Sequence, residues 1–430
     1  LKNKEEIYLK HYQDILIILI LKMSYYTLPK KMIELKFEVI VTSNDKILPF
    51  ISHSLYKYLN DVMEEAKNMK INNFFLKNEN LTNENLTNEN LIEYLKKIIN
   101  PYEYIFTNVH NSNFSVSKIA PFSNLFYVLI EIVNIFNLFD TFTDKNINTM
   151  SYGNNSTSVI ECIDLLREDH NDKNIKSIID IKQFTKDDFK IYEKYRSFTY
   201  DFLYYELNDD DYKGDKYIIS MIYIICNIFY YQNSQGVSII KIDNIYYKPL
   251  VDILYLLSSI YDKVYIIKPN ASNVMTNEKY IVCKNFIYNP QKIKLYYMYF
   301  HNLNLLIKTT SNKKIFSILK EDIPYYFVNK IEEINIILGY QQLEYMEQLI
   351  NLFKNKNIEE KIEILKKNNI QKCIQWCEKY KIPYNKFTEK VNIFLNGEKN
   401  NEENNNIFLS TKLIEEFEHV LVTNNDFNKI

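Results

Sequence analysis

Three charged side chains stand at the ends of runs that otherwise read as buried strand. Glu206 closes FTYDFLYYE, Lys241 lies near the end of GVSIIKI, and Glu278 opens EKYIVCKNF. Lysine and carboxylate groups, once brought together, move and orient protons. In a sheet covered by helices on both faces, ligand sites lie at the carboxyl ends of the strands. The three groups either converge at one sheet edge or stand as unrelated, solvated charges at separate strand ends. Spacing alone leaves both readings open.

The elements that must position them follow from periodicity. SVIECIDLLRE reads as a helix and IKSIIDIK as a strand. Residues 216–233 are apolar nearly all round, which fits a buried helix. YYKPLVDILYLLSSIY is a helix with Pro249 in its first turn, where the missing N–H has no helical partner to lose. KVYIIKP and EKYIVCKNF are strands with no room for a crossover helix between them, so they pair antiparallel as a hairpin. Continuous apolar strands alternating with helices define an α/β sheet covered on both faces. Upstream, Ser123–Phe139 reads as a buried helix with Ser123 as its N-cap. Beyond residue 290 the chain turns helical, in LEYMEQLINLFKNK, IEEKIEILKKN and IQKCIQWCEKYKIP. A polar linker over Glu398–Asn406 precedes a last helix near Ser410–Val420. The five-residue repeat NENLTNENLTNENL, residues 78–91, fits neither helix nor strand period and reads as a polar loop or helix extension.

Composition excludes several classes. Hydrophobic residues are 47% and charged residues 25% of 430, enough for a large core. The net charge of -2 gives no whole-chain footprint for nucleic acid, though a local basic groove is compatible with it. Five cysteines, scattered through apolar runs, read as buried free thiols in a reducing compartment. Cys373 and Cys377 are one helical turn apart, but no His or Cys pair completes a zinc site, so no metal is expected. The apolar run Ile15–Leu21 is too short to span a bilayer. Met23 opens MSYYTLPKK, and residues 1–22 read as an upstream extension.

GVSIIKI, a helix, and then VYIIKPNASNVMTNEKYIVCKNF resemble the end of the FtsJ-like (RrmJ-type) ribose 2′-O-methyltransferases, in particular the group from nucleocytoplasmic large DNA viruses, the giant viruses. MSYYTLP, NPYEYIF, FSVSKIAPFSNLFYVLIEI and IQKCIQWCEKYKIP resemble the same group, so the likeness runs from Met23 to about Gly397. It implies a Rossmann-like methyltransferase sheet with a C-terminal antiparallel hairpin strand, flanked by N- and C-terminal helical regions. The implied division is 1–22 extension, 23–110 N-terminal region, 111–288 methyltransferase domain, 289–397 C-terminal helical domain, and 398–430 linker with terminal helix. The implied chemistry is methyl transfer from S-adenosylmethionine to a ribose 2′-hydroxyl of RNA, as in mRNA capping. A viral setting places the chain in the host cytoplasm (viral factory) or the virion, with capped RNA as partner and no membrane.

The family site is Lys–Asp–Lys–Glu beside a glycine-rich cofactor turn. Carried over, Lys241 is the base lysine, Glu278 its orienting carboxylate, and Glu206 stands at the aspartate position. Gly153, Asn154 and Asn155 occupy the cofactor turn, with Asp180 as a further cofactor-binding residue. The departures are specific. Asn124 and Val128 stand where the family has Arg and Lys, Asn273 replaces an Arg, and Gly153 is the turn's one glycine. Asn154 and Asn155 tolerate left-handed backbone better than most residues, so they are candidates to replace the lost glycines. A lysine acts as a base only when its pKa falls well below the free value of about 10.4. Without the partner lysine, Lys241 is expected to stay protonated between Glu206 and Glu278. The resemblance therefore carries two functional expectations: an RNA 2′-O-methyltransferase, or an inactive relative serving as a structural or RNA-binding subunit, with a protein partner or an active paralogue beside it. Trp376 is expected to be a packing anchor of the C-terminal helices.

Overall fold

A computed structural model describes residues 25–30, 35–42, 48–68, 88–106, 115–176, 199–287, most of 289–303, 314–354 and 358–385. Asp180, the residues of IKSIIDIK beyond 176, and the linker and last helix after 397 lie outside the described residues.

The described strands are β1 (Tyr25–Thr27), β2 (Phe37–Thr42), β3 (Asn148–Tyr152), β4 (Lys173–Lys176), β5 (Tyr200–Tyr205), β6 (Gln232–Ile242), β7 (Tyr261–Ile267), β8 (Lys279–Phe286) and β9 (Lys314–Leu319). The described helices are α1 (His53–Asn68), α2 (Asn88–Ile99), α3 (Leu125–Phe136), α4 (Ser156–Leu166), α5 (Gly214–Tyr231), α6 (Lys248–Ile260), α7 (Tyr325–Phe353) and α8 (Ile358–Lys379). The seven-stranded sheet has the order β1-β7-β8-β6-β5-β3-β4. β4, β3, β5 and β6 run parallel. β8 enters antiparallel between β6 and β7. The fold is Rossmann-like α/β, with the late strands pairing antiparallel as the sequence predicts. β1 adds an antiparallel edge on β7, and β2 pairs with β9 in a separate two-stranded sheet.

Alternation within each strand feeds two cores. Leu203, Tyr205, Ile240, Ile281 and Cys283 face one side, with α5 and α6. Phe202, Tyr204, Ile239, Tyr280 and Val282 face the other, with α3, α4 and α8. A buried side chain of this size contributes about 1.5–3 kcal/mol, so a one-residue register slip would forfeit both faces together.

Several expectations are corrected. Ser123 does not cap α3: Asn124 flanks the helix without a side-chain cap bond, and the Ser123 hydroxyl instead pairs with Ser158 Oγ at 2.8 Å. The helix over 216–233 stops at Tyr231, because Gln232 already belongs to β6. β9 is a strand inside a region read as helical. IEEKIEILKKN and IQKCIQWCEKYKIP join into the single helix α8. The end of the five-residue repeat opens α2. All five cysteines are buried and free.

Candidate functional site

Register builds the site. Tyr152 pairs with Tyr205, Tyr205 with Ile240, and Lys241 with Tyr280. The residues just past these pairs, Gly153 and Glu206, therefore stand beside Lys241 in a row along one sheet edge. β8 runs the other way, so its amino end brings Glu278 to the same edge. The amide of Glu206 donates to Tyr152 O at 2.9 Å and continues the ladder past β5.

Lys241 Nζ donates to Glu206 Oε1 at 2.7 Å, with the two side chains 22% and 6% exposed. Asn155 Nδ2 lies 3.0 Å from both Glu206 oxygens. Glu278 accepts from the Tyr280 hydroxyl and makes no ion pair with Lys241. Burial pulls the Lys241 pKa down, but the charges of Glu278 and Glu206 and the hydrogen bond to Glu206 outweigh it, and the net shift is upward. Val128 is buried in α3, 1% exposed, within the apolar core. Asn124, at the entry of α3, donates to Ala271 O at 2.7 Å and ties the helix to the β7–β8 loop.

The turn after β3 depends on Gly153, whose φ is +128°. A Cβ there would lie 2.8 Å from both Cβ and the backbone oxygen of Glu206. The glycine thus lets the turn close onto Glu206. Neither Asn154 nor Asn155 takes up positive φ, so they do not replace the lost glycines. Ser156 Oγ donates back to Gly153 O at 2.6 Å. The Asn155 amide and the Glu206 carboxylate are joined to each other across this turn.

A cavity of about 240 Å³ opens beside this edge, lined in part by Tyr56, Asn60, Asp243, Tyr246, Tyr247 and Asn277. Tyr212 also lines it; its hydroxyl accepts from Leu207 N and donates to Lys241 O, both at 3.2 Å. Aromatic faces beside amides and a carboxylate suit a nucleobase, which stacks and hydrogen-bonds along its edge.

Three further charged groups stand nearby that strand-end spacing does not reveal. Glu131 of α3 is fully buried. It accepts from Asn270 N and Nδ2 and from Ala271 N, each at 3.0 Å, and from Trp376 Nε1 at 3.1 Å. Burial raises its pKa, partly offset by the Asn270 and Ala271 amides and the Trp376 indole. A lone carboxylate inside FYVLIEIVNIF was the available signal. Trp376, 3% exposed, is a packing residue that also donates to this carboxylate. Lys268 and Lys279 flank the β7–β8 loop, and burial lowers their ammonium pKa values to about 7 and about 8.

No protein-family model matches the sequence, and a comparison with curated proteins gives no match. Solved structures do match. Among them is a protein from Plasmodium falciparum named as a ribosomal RNA methyltransferase: 19% identity, 39% of this chain and 99% of that chain, TM-score 0.29. The similarity is too distant to carry residue roles across. No described helix is long and apolar enough to cross a membrane.

Proposed function

We propose that this chain is a methyltransferase-fold protein that binds RNA without transferring a methyl group, serving as a structural or RNA-binding subunit beside a partner that supplies the chemistry. The observation that carries the reading is the Lys241–Glu206 ion pair at 2.7 Å, with Val128 where a second lysine would stand. A base must be neutral to take a ribose 2′-hydroxyl proton. Lys241 has its pKa shifted upward and its ammonium engaged by a carboxylate. At neutral pH it orients and stabilises negative charge but accepts no proton.

S-adenosylmethionine would supply the electrophilic methyl group in an active relative. Here Asn155 and Glu206 satisfy one another across the turn that would hold it. The tyrosine-lined cavity supports retention of RNA, and a capped 5′ end is the substrate class that the resemblance implies.

The test combines calorimetric titration of the purified chain with S-adenosylmethionine and S-adenosylhomocysteine, a methylation assay on capped RNA, and RNA affinity by fluorescence anisotropy. We expect weak or absent cofactor binding, no methyl transfer at neutral pH, and saturable RNA binding that weakens in Tyr246→Ala. Turnover on capped RNA would overturn the loss of catalysis, and absence of RNA binding would overturn the retained role.

A further inference from the structure

We propose that a second cavity, between the β7–β8 loop and helix α7, binds a small tetrahedral oxyanion of the phosphate class. The site adjoins the Lys241 cluster across β8 but has a lining of its own, and it does not rest on the RNA reading. Its lining includes Lys268, Thr276, Lys279, Gln341, Gln342 and Tyr345, and its volume of about 40 Å³ holds roughly three waters or one such anion.

Two lysines line this cavity and no carboxylate does. Lys268 Nζ donates to the carbonyls of Asn273 at 2.6 Å and Thr276 at 2.8 Å, with the Thr276 hydroxyl farther off at 3.5 Å. Lys279, 6% exposed, donates to the carbonyls of Asp243 at 3.1 Å and Asn277 at 2.8 Å. An ammonium has three donors, so Lys279 keeps one without a partner among the described residues. The nearby carboxylates are engaged elsewhere. Glu278 accepts from Tyr280, and Asp243 Oδ2 accepts from Asn244 Nδ2 at 2.8 Å.

Buried cations without a counter-ion are costly, and folded proteins pair them or let them lose the proton. Lys279, 6% exposed, carries that cost, and burial lowers its ammonium value; Lys268 is half-buried, with its ammonium enclosed by the carbonyls of its own loop. One dianion would meet two cations, occupy the free Lys279 donor and remove the cost. The Gln341 amide, partly exposed at the lining, adds a neutral donor. Gln342 is fixed by its bond to Met275 O at 3.0 Å and so helps hold the loop against α7. Charge-assisted bonds to phosphate oxygens are the strong class of hydrogen bond, and lysine is a common partner for them.

Inorganic phosphate is the probe. The full chain is titrated at constant ionic strength against chloride, followed by calorimetry and by 15N chemical shifts of the lysine Nζ groups. We expect saturable one-to-one binding that moves the Lys268 and Lys279 signals toward the charged form. Lys279→Met should weaken it by about tenfold or more. Gln341→Glu keeps both lysines but adds a like charge to the anion, and should weaken it as much while circular dichroism stays unchanged. A short RNA without terminal phosphates distinguishes the anion's source: competition assigns the site to a backbone phosphodiester, and its absence assigns it to a free or terminal phosphate. No saturable phosphate binding, or binding that both substitutions leave intact, overturns the proposal.

Discussion

Two regions that meet at the amino end of strand β8 hold charge by opposite means. Around Lys241, an ammonium meets a carboxylate directly, and the lysine pKa rises. Around the β7–β8 loop, Lys268, Lys279 and Glu131 are held by carbonyls, amides and an indole, with no ion pair at any of them among the described residues. There the lysine values fall and the carboxyl value rises. Lysines on neighbouring strands are thus pushed toward opposite protonation states. Neutral dipoles satisfy the geometry of a buried charge but only partly replace its solvation. Catalytic potential in such a site follows from the partner supplied, since the lysine itself is common to both regions.

The largest effect is expected from adding a charge where neither device exists. Val128→Lys places an ammonium in the apolar core around α3 and should destabilise the chain by about 4 kcal/mol, read as a lower urea midpoint. A midpoint unchanged from wild type would mean that α3 can open toward solvent. Glu206→Gln breaks the direct pair and should cost about 3 kcal/mol. The Lys241 pKa should fall in the same variant, which 15N titration of Nζ detects; an unchanged value would shift the cause from Glu206 to Glu278.

Trp376→Phe removes one donor from the Glu131 carboxylate and should cost about 2 kcal/mol, with little change in core volume. A cost near zero would show that the three amide donors suffice. The smallest and most diagnostic effect is the pH dependence of Lys279→Met. In the wild type, Lys279 is lowered to about 8, so between that value and the unfolded value of about 10.4 the unfolded chain binds more protons and stability rises with pH. The substitution removes that rise. Its advantage over wild type should therefore be greatest near neutral pH and shrink above pH 8 by about 1 kcal/mol per pH unit. For Lys241 the sign is reversed: its raised pKa stabilises below the unfolded value and the contribution is lost as pH climbs through the folded one. A variant–wild-type difference flat across this range would remove the contrast between the two regions.

Much of the sheet was legible because strong local patterns agree with the final packing. The runs around Phe202, Ile240, Val264 and Ile281 are apolar on both faces, and both faces are buried. β1, β2 and β9 were not read as strands: they are short, and their pairing partners lie hundreds of residues away. The convergence of Glu206 and Lys241 could be posed from strand ends, but only register joins them. Glu278 was expected to orient Lys241; it reaches the same edge through the reversed strand β8, and its hydrogen bond goes to Tyr280. Lys268 and Lys279 were invisible as a pair, because a lysine beside a proline and a lysine beside a glutamate look solvated in sequence. The distant helix α7 closes the cavity that the two lysines line.

The bond from Trp376 to Glu131 has a consequence for how the chain is made. The sheet strands up to Phe286 leave the ribosome well before α8 does. Until Trp376 emerges, one of the four donors to Glu131 is missing and the apolar layer formed by Cys373 and Cys377 is open. Domains of nascent chains fold as units as they emerge, and this unit is completed only near its carboxyl end. A chain stalled or cut before Trp376 would present an assembled sheet with a poorly anchored loop and a bare hydrophobic face, the form that quality-control chaperones recognise.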